Sequence, residues 1–322
     1  MKRCTRRAMR KDKIAVLIPV FNAGALLGES IASIAASGLP RDAYEIIVSD
    51  NASDDGSIER LSPCDAQGVP IHLCCNSSNL GRVQNWNRAL AIAEDMGFGH
   101  ALFVMAGDLM RGSAVAALHQ RMRDSGAVLG LGSYEIVDEA LRPVRLARRI
   151  VWRAKEGLSA QRFLAQSFAI GGMLLAPLGA NLYDLSGPRL RFDPTDGTHT
   201  DQDATASFLI AANRPVIYLD RPLMRWRRRA ARFHSGMDLM QRLARDRALA
   251  VRICREACVT PDDEGIRCTF LLRIIFHRGG NIPAAWPDLQ SLFRDHARMR
   301  WSLLFTLLWR QLIYKTPWRI SD

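Results

Sequence analysis

Four short apolar runs in the first hundred residues each end in a cluster of polar side chains. Pro19-Val20-Phe21-Asn22 closes the first, Asp50 to Ser57 follows the second, Asn76 to Arg82 the third and Ala106-Gly107-Asp108 the fourth. Together they offer carboxylates and amides for hydrogen bonding and a guanidinium suited to phosphate, the chemistry of a polar, charged ligand. Asn, Asp, Gly and Ser also favour turns, and turn chemistry accounts for any one cluster taken alone. Four in succession point to one site.

The elements that must position these residues follow from apolar periodicity. Strands are expected over Lys13–Val20, Tyr44–Ser49, Val69–Cys74 and Ala101–Met105, with helices over Gly24–Ser37, Asp54–Leu61 and Gly81–Met96 between them. Alternation of this kind predicts an α/β fold of right-handed βαβ units with a mostly parallel sheet. Ligands of such sheets bind at the carboxyl ends of the strands, where the four polar clusters converge. Farther along, Val128–Val137 and Val216–Leu219 read as strands, Ala160–Phe168 and Asp201–Ala212 as helices, and Leu185–His199 as an ordered loop over the site.

Three stretches, in order, resemble family 2 glycosyltransferases of the GT-A fold: Ala15 to Asn22, Glu45 to Ser57, and Asn79-Leu80-Gly81-Arg82-Val83-Gln84-Asn85-Trp86-Asn87-Arg88-Ala89-Leu90. The resemblance extends through about residue 140, weakens to about 235 and is absent from the C-terminal third. It implies a GT-A domain over 1–235, with a nucleotide half near 13–110 and an acceptor half near 111–235, followed by a helical, basic region at 236–322. It also implies an enzyme that moves a sugar from a nucleoside-diphosphate donor, UDP- or dTDP-linked, onto a lipid-linked or polysaccharide acceptor of a bacterial pathway.

Residue roles follow from the same resemblance. Asp50 would accept the N3–H of a uracil or thymine ring, beside backbone at Pro19 and Phe21, with Asn22, Ser53 and Asn85 completing the donor site. Ser53 and Asp54 also suit a helix cap. Arg82, at a helix start, favours a phosphate through both its charge and the free N–H groups, or is a solvated surface arginine. The family places paired aspartates after the fourth strand to hold Mg²⁺ or Mn²⁺. Here only Asp108 stands, behind Gly107. Magnesium needs only one or two protein carboxylates when phosphate oxygens and water complete its shell. The family's general base is matched by Asp201, with Thr200 in place of a glutamate and Asp203 and Asp196 in reserve. Asp201 is equally an ordinary N-terminal helix carboxylate. His234, after Arg225-Trp226-Arg227, is a candidate metal ligand or a surface histidine.

Composition narrows the partners. A net charge of +12 favours phosphate-bearing or anionic ones, although an arginine-rich genome produces the same excess. The basic residues coincide with no nucleic-acid module, so nucleic acid is not an expected partner. Seven cysteines, odd in number and without zinc-ligand spacing, read as reduced thiols of a cytoplasmic protein. No run reaches the roughly twenty apolar residues of a membrane span. Tryptophans and arginines over Arg294–Trp318, with Thr269–Phe276 and the basic N-terminus, suit either docking on an anionic inner leaflet or packing on the catalytic domain. Two other classes compete: a metal-dependent nucleotidyltransferase, which lacks its glycine-rich loop here, and an inactive nucleotide-binding relative.

Overall fold

Ile14–Val20 (β1) is rich in branched side chains and buried almost throughout, the composition of a strand covered on both faces. Its residues alternate between two cores. Ile14, Val16 and Ile18 enter one, and Ala15 and Leu17 the other. A computed structural model gives this architecture and describes residues 10–61, 67–147, 157–168, 177–194, 200–228 and 239–261.

The chain continues through α1 (Leu26–Ala35), β2 (Tyr44–Asp50), β3 (Ile71–Cys75), α2 (Arg82–Met96), β4 (His100–Phe103), β5 (Leu109–Met110), α3 (Gly112–Ser125), β6 (Leu129–Val137) and β7 (Pro143–Ala147). Then come α4 (Ala160–Phe168), a 3-10 turn at Leu178–Ala180, β8 (Asn181–Asp184), α5 (Thr200–Ala212), β9 (Val216–Arg227) and α6 (Leu239–Glu256). One nine-stranded sheet carries them in the order β3-β2-β1-β4-β8-β6-β9-β5, with β7 on β6. The first four strands pair in parallel. β8 runs antiparallel between β4 and β6, and β9 lies parallel to β6.

α1 buries Leu27, Ser30, Ile31 and Ile34, one helical face, against the first core. α2 buries Val83, Trp86, Ala89, Leu90 and Ala93 in the second, which also takes in α4, α5 and α6. Left-handed Gly97 and Gly126 end α2 and α3 where a Cβ would be strained.

Two expectations change. Residues 54–61 form turns rather than a helix, because Asp55 and Ser57 turn their side chains onto backbone N–H groups of Ala23, Gly24 and Ser57 itself. β9 runs on to Arg227, well past Leu219, by shifting register against Gly132 and Ser133 and then pairing with β5. Among the described residues no helix is long and apolar enough to cross a membrane. His234, Asp196, Thr269–Phe276 and Arg294–Trp318 lie outside the described residues.

Candidate active site

The loops after β1 and β2 are knitted together at the carboxyl edge of the sheet. Asn22 adopts a left-handed backbone, donates its N–H to Ser53 Oγ at 3.0 Å, and exchanges side-chain and backbone bonds with Asp54. Asp50 is 3% exposed, and its carboxylate accepts the Ser53 hydroxyl at 2.5 Å and the Ser53 N–H at 3.3 Å. A carboxylate has about four acceptor positions, so this pairing orients Asp50 without exhausting it. Pro19 is partly covered and Phe21 half exposed, where β1 ends.

Asn85 lies elsewhere than expected. It is 3% exposed, donates to the carbonyls of Ser49 and Val20, and accepts from the Ser49 hydroxyl and the Asn76 amide. With its amide so engaged in the interior, Asn85 fastens three strand ends together rather than facing a ligand. Asn51, not anticipated from sequence, does similar work by bonding Asn79, Asn76 and the Leu80 N–H. Together they place the start of α2. There the Arg82 guanidinium lies 4.9 Å from the centre of the Trp86 ring. Stacked this way, it keeps its charge near a helix N-terminus, where an anion is favoured.

Beyond Trp86 opens a cavity of about 270 Å³, lined by Trp86, Met105, Asp108, Tyr134, Pro177, Leu178, Gly179, Asp201 and Trp226. It brings together the two carboxylates that sequence reasoning assigned to metal and base. Asp108 is 6% exposed and accepts the Arg227 N–H at 3.0 Å, while Ser30 bonds both its carbonyl and the N–H of Gly107. Arg227 in turn reaches Glu29 at 2.5 Å. Asp201 stands in the first turn of α5. A buried chain fixes that turn to β8: Asn181 donates to the Tyr183 hydroxyl, which meets Thr205 Oγ1 at 3.0 Å, and Thr205 donates to the Asp201 carbonyl at 2.7 Å. Asp203 faces α6 instead and is ion-paired with Arg252.

Among the described residues no group of three His, Cys, Asp or Glu side chains could by itself enclose a metal ion. Asp108 nevertheless presents a hard carboxylate on the cavity wall, which fits a magnesium- or manganese-type ion that takes its other oxygens from phosphate and water.

The aromatic part of the wall escaped the sequence reading. Tyr134 and Trp226 meet edge to face at 6.3 Å, and Trp86 meets Phe192 at 5.4 Å. The available signal was strand parity. Tyr134 pairs with Met224 and Ile136 with Trp226, so these side chains share one face of the β6–β9 ladder.

Known structures share this fold. A search of curated proteins finds no match by sequence. Staphylococcus aureus TarS, residues 1–349 in complex with UDP-GlcNAc, superposes with a TM-score of 0.60 at 19% identity, over 82% of this chain and 72% of that one. Mannosyltransferase PcManGT from Pyrobaculum calidifontis, in complex with GDP-Man and Mn²⁺, gives 0.51 at 15% identity, over 93% and 80%. Residues 15–172 match the family described as Glycosyl transferase family 2, and they span the knitted loops, Arg82, Trp86, Asp108 and Tyr134. Residues 15–172, just under half of the chain, thus match glycosyltransferase family 2, and they lie in a sheet of the GT-A arrangement.

Proposed function

We propose that this protein transfers a sugar, with inversion, from a UDP- or dTDP-linked donor to a hydroxyl of a lipid-linked or polysaccharide acceptor. The observation that carries the reading is the meeting of Asp108 and Asp201 in one aromatic-walled cavity, although they belong to different halves of the chain. The two neighbouring structures, one in complex with UDP-GlcNAc and one with GDP-Man and Mn²⁺, favour a nucleoside-diphosphate sugar and a divalent ion here.

In this mechanism the nucleotide lies along the knitted strand ends, with Asp50 accepting from the base and Arg82 beside the diphosphate. Asp108 would hold a Mg²⁺ or Mn²⁺ ion, which would supply positive charge to offset that of the departing diphosphate. Asp201 takes the proton of the acceptor hydroxyl as its oxygen bonds to the anomeric carbon, and the carbon–oxygen bond to the diphosphate breaks on the opposite face. The nucleoside diphosphate leaves with that electron pair. Trp86, Tyr134 and Trp226 exclude water around the reacting atoms. The basic region beyond residue 235 brings the protein to an anionic membrane surface, where a lipid-linked acceptor resides.

Calorimetric titration with UDP and dTDP, with and without Mn²⁺, tests the site. Metal-dependent binding is expected in the wild type and not in Asp108→Ala. Asp201→Asn should keep nucleotide affinity and lose turnover by about a hundredfold or more, the usual contribution of a general base. Full activity in Asp201→Asn removes the base assignment, and absence of nucleotide binding removes the donor site.

A further inference from the structure

Asp201 is held from behind by the Asn181–Tyr183–Thr205 chain, and a second contact reaches the same helical turn from outside. Asp203, two residues on, is ion-paired with Nη2 of Arg252 on α6, whose Nη1 bonds Glu256 at 3.0 Å. We propose that Arg252 is a positioning residue for catalysis: α6, beyond the segment that matches the family, fixes the first turn of α5 and the charge environment of Asp201. The proposal rests on the assignment of Asp201 as the base.

Magnitudes separate this role from simple stabilisation. The Arg252 and Asp203 side chains are 41% and 25% exposed, and an exposed pair of that kind contributes little to folding. What holds α6 in place is apolar packing. Leu249, Ala250, Ile253 and Cys254 enter the core that also contains Phe163 and Leu164 of α4 and Phe208 and Leu209 of α5, and Gln161 of α4 donates to the Ala257 carbonyl at 3.1 Å. The ion pair is not needed to keep the helix docked. It ties the end of the docked helix to the turn that presents Asp201.

Charge gives the second half of the role. Asp203 and Asp201 share one helical turn, so an unneutralised Asp203 disfavours ionisation of Asp201, whereas Arg252 left without Asp203 favours it. The other charged groups on the elements around Asp201 remain in every variant. Among the described side chains these are Asp108 across the cavity, exposed Arg162 on α4, Asp184 of β8 paired with Arg214, and on α6 buried Asp246, Glu256 and the exposed Arg245, Arg247 and Arg255.

The test is a carbon-13 carboxyl titration of the full-length protein, with the Asp201 signal identified by its absence in Asp201→Asn. Arg252→Gln should move the Asp201 titration to higher pH and Asp203→Asn should move it to lower pH. The paired exchange Asp203→Arg with Arg252→Asp should return it toward the wild type. Turnover should fall on the order of tenfold to a hundredfold in Arg252→Gln, the scale of a small displacement of a catalytic group. UDP affinity should stay unchanged, and Arg252→Lys should recover part of the loss. Shifts in the same direction, or none, overturn the proposal, as does a loss of turnover that only follows a fall in UDP affinity and melting temperature. Failure of the base assignment looks different: Asp201→Asn stays active whatever the titrations show.

Discussion

Replacing Asn85 by Ala removes one partner each from the Ser49 and Val20 carbonyls, the Ser49 hydroxyl and the Asn76 amide, of which Val20 and Asn76 keep bonds to Asn51. Each buried polar group left unmatched costs about 1–3 kcal/mol, so a total loss of about 3 kcal/mol is expected after partial relaxation. Urea denaturation should show a lower midpoint at unchanged slope. Nucleotide binding should weaken as well, because the strand ends would no longer be held together. Asp50 and Asn85 fall in the same motifs, yet one is proposed as a ligand-facing carboxylate and the other is a fastener. Residue type and spacing do not separate those roles; the direction of the side chain does, and it depends on which neighbouring carbonyls lack donors. That Asp108 and Asp201 face one cavity was legible because one follows a strand end and the other opens a helix, positions where a carboxylate can meet a ligand. The wall residues Tyr134 and Trp226 were not, since their meeting depends on the register between two strands.

At the level of elements, β6 illustrates how small side chains let large ones meet. A Cβ built on Gly132 would lie 2.3 Å from Leu223 Cγ, and one on Gly130 2.6 Å from Met122 Sδ. Gly132→Ala should therefore lower stability by about 1–3 kcal/mol through overpacking, read as a drop in melting temperature. The same change pushes β9 from β6 and so disturbs the cavity wall. The strands of the first hundred residues were readable because branched residues run together between turn signals. α3 went unread: Arg, Gln, His and Gly dilute its apolar stripe, and its burial of Ala114, Val115, Leu118 and Met122 is visible only once the sheet is present. The helix expected over residues 54–61 failed for the opposite reason. Its Asp and Ser side chains satisfy the neighbouring loop better than they cap a helix.

For the whole molecule, acid should be destabilising. His100 and His119 are buried against each other, with Nδ1 and Nε2 3.1 Å apart. Burial, reinforced for His119 by its partner, lowers the values of both, that of His119 to about 3. An unfolded histidine takes up its proton near pH 6.5, well before these do. Between those limits the unfolded state binds more protons, so stability is fully present above about pH 6.5 and declines as pH falls toward 3. Glu45 acts in the same direction at lower pH. Arg10, His72 and Lys13 outweigh its burial and hold it at about 2, so its contribution is lost as pH falls from about 4.5 toward that value. Denaturation midpoints measured from pH 7 to pH 4 should fall steadily, and His119→Phe should flatten the upper part of that slope.

The place of β8 has a consequence for synthesis. It comes late in the chain yet sits between β4 and β6, so the first four strands keep an open apolar edge until residue 184 has been made. A nascent chain that ends near residue 110 exposes β4 to any other strand in reach. The first four strands should therefore not form an autonomous folding unit on the ribosome. Cut out as a fragment, it should recruit a strand from a second molecule in place of its own β8.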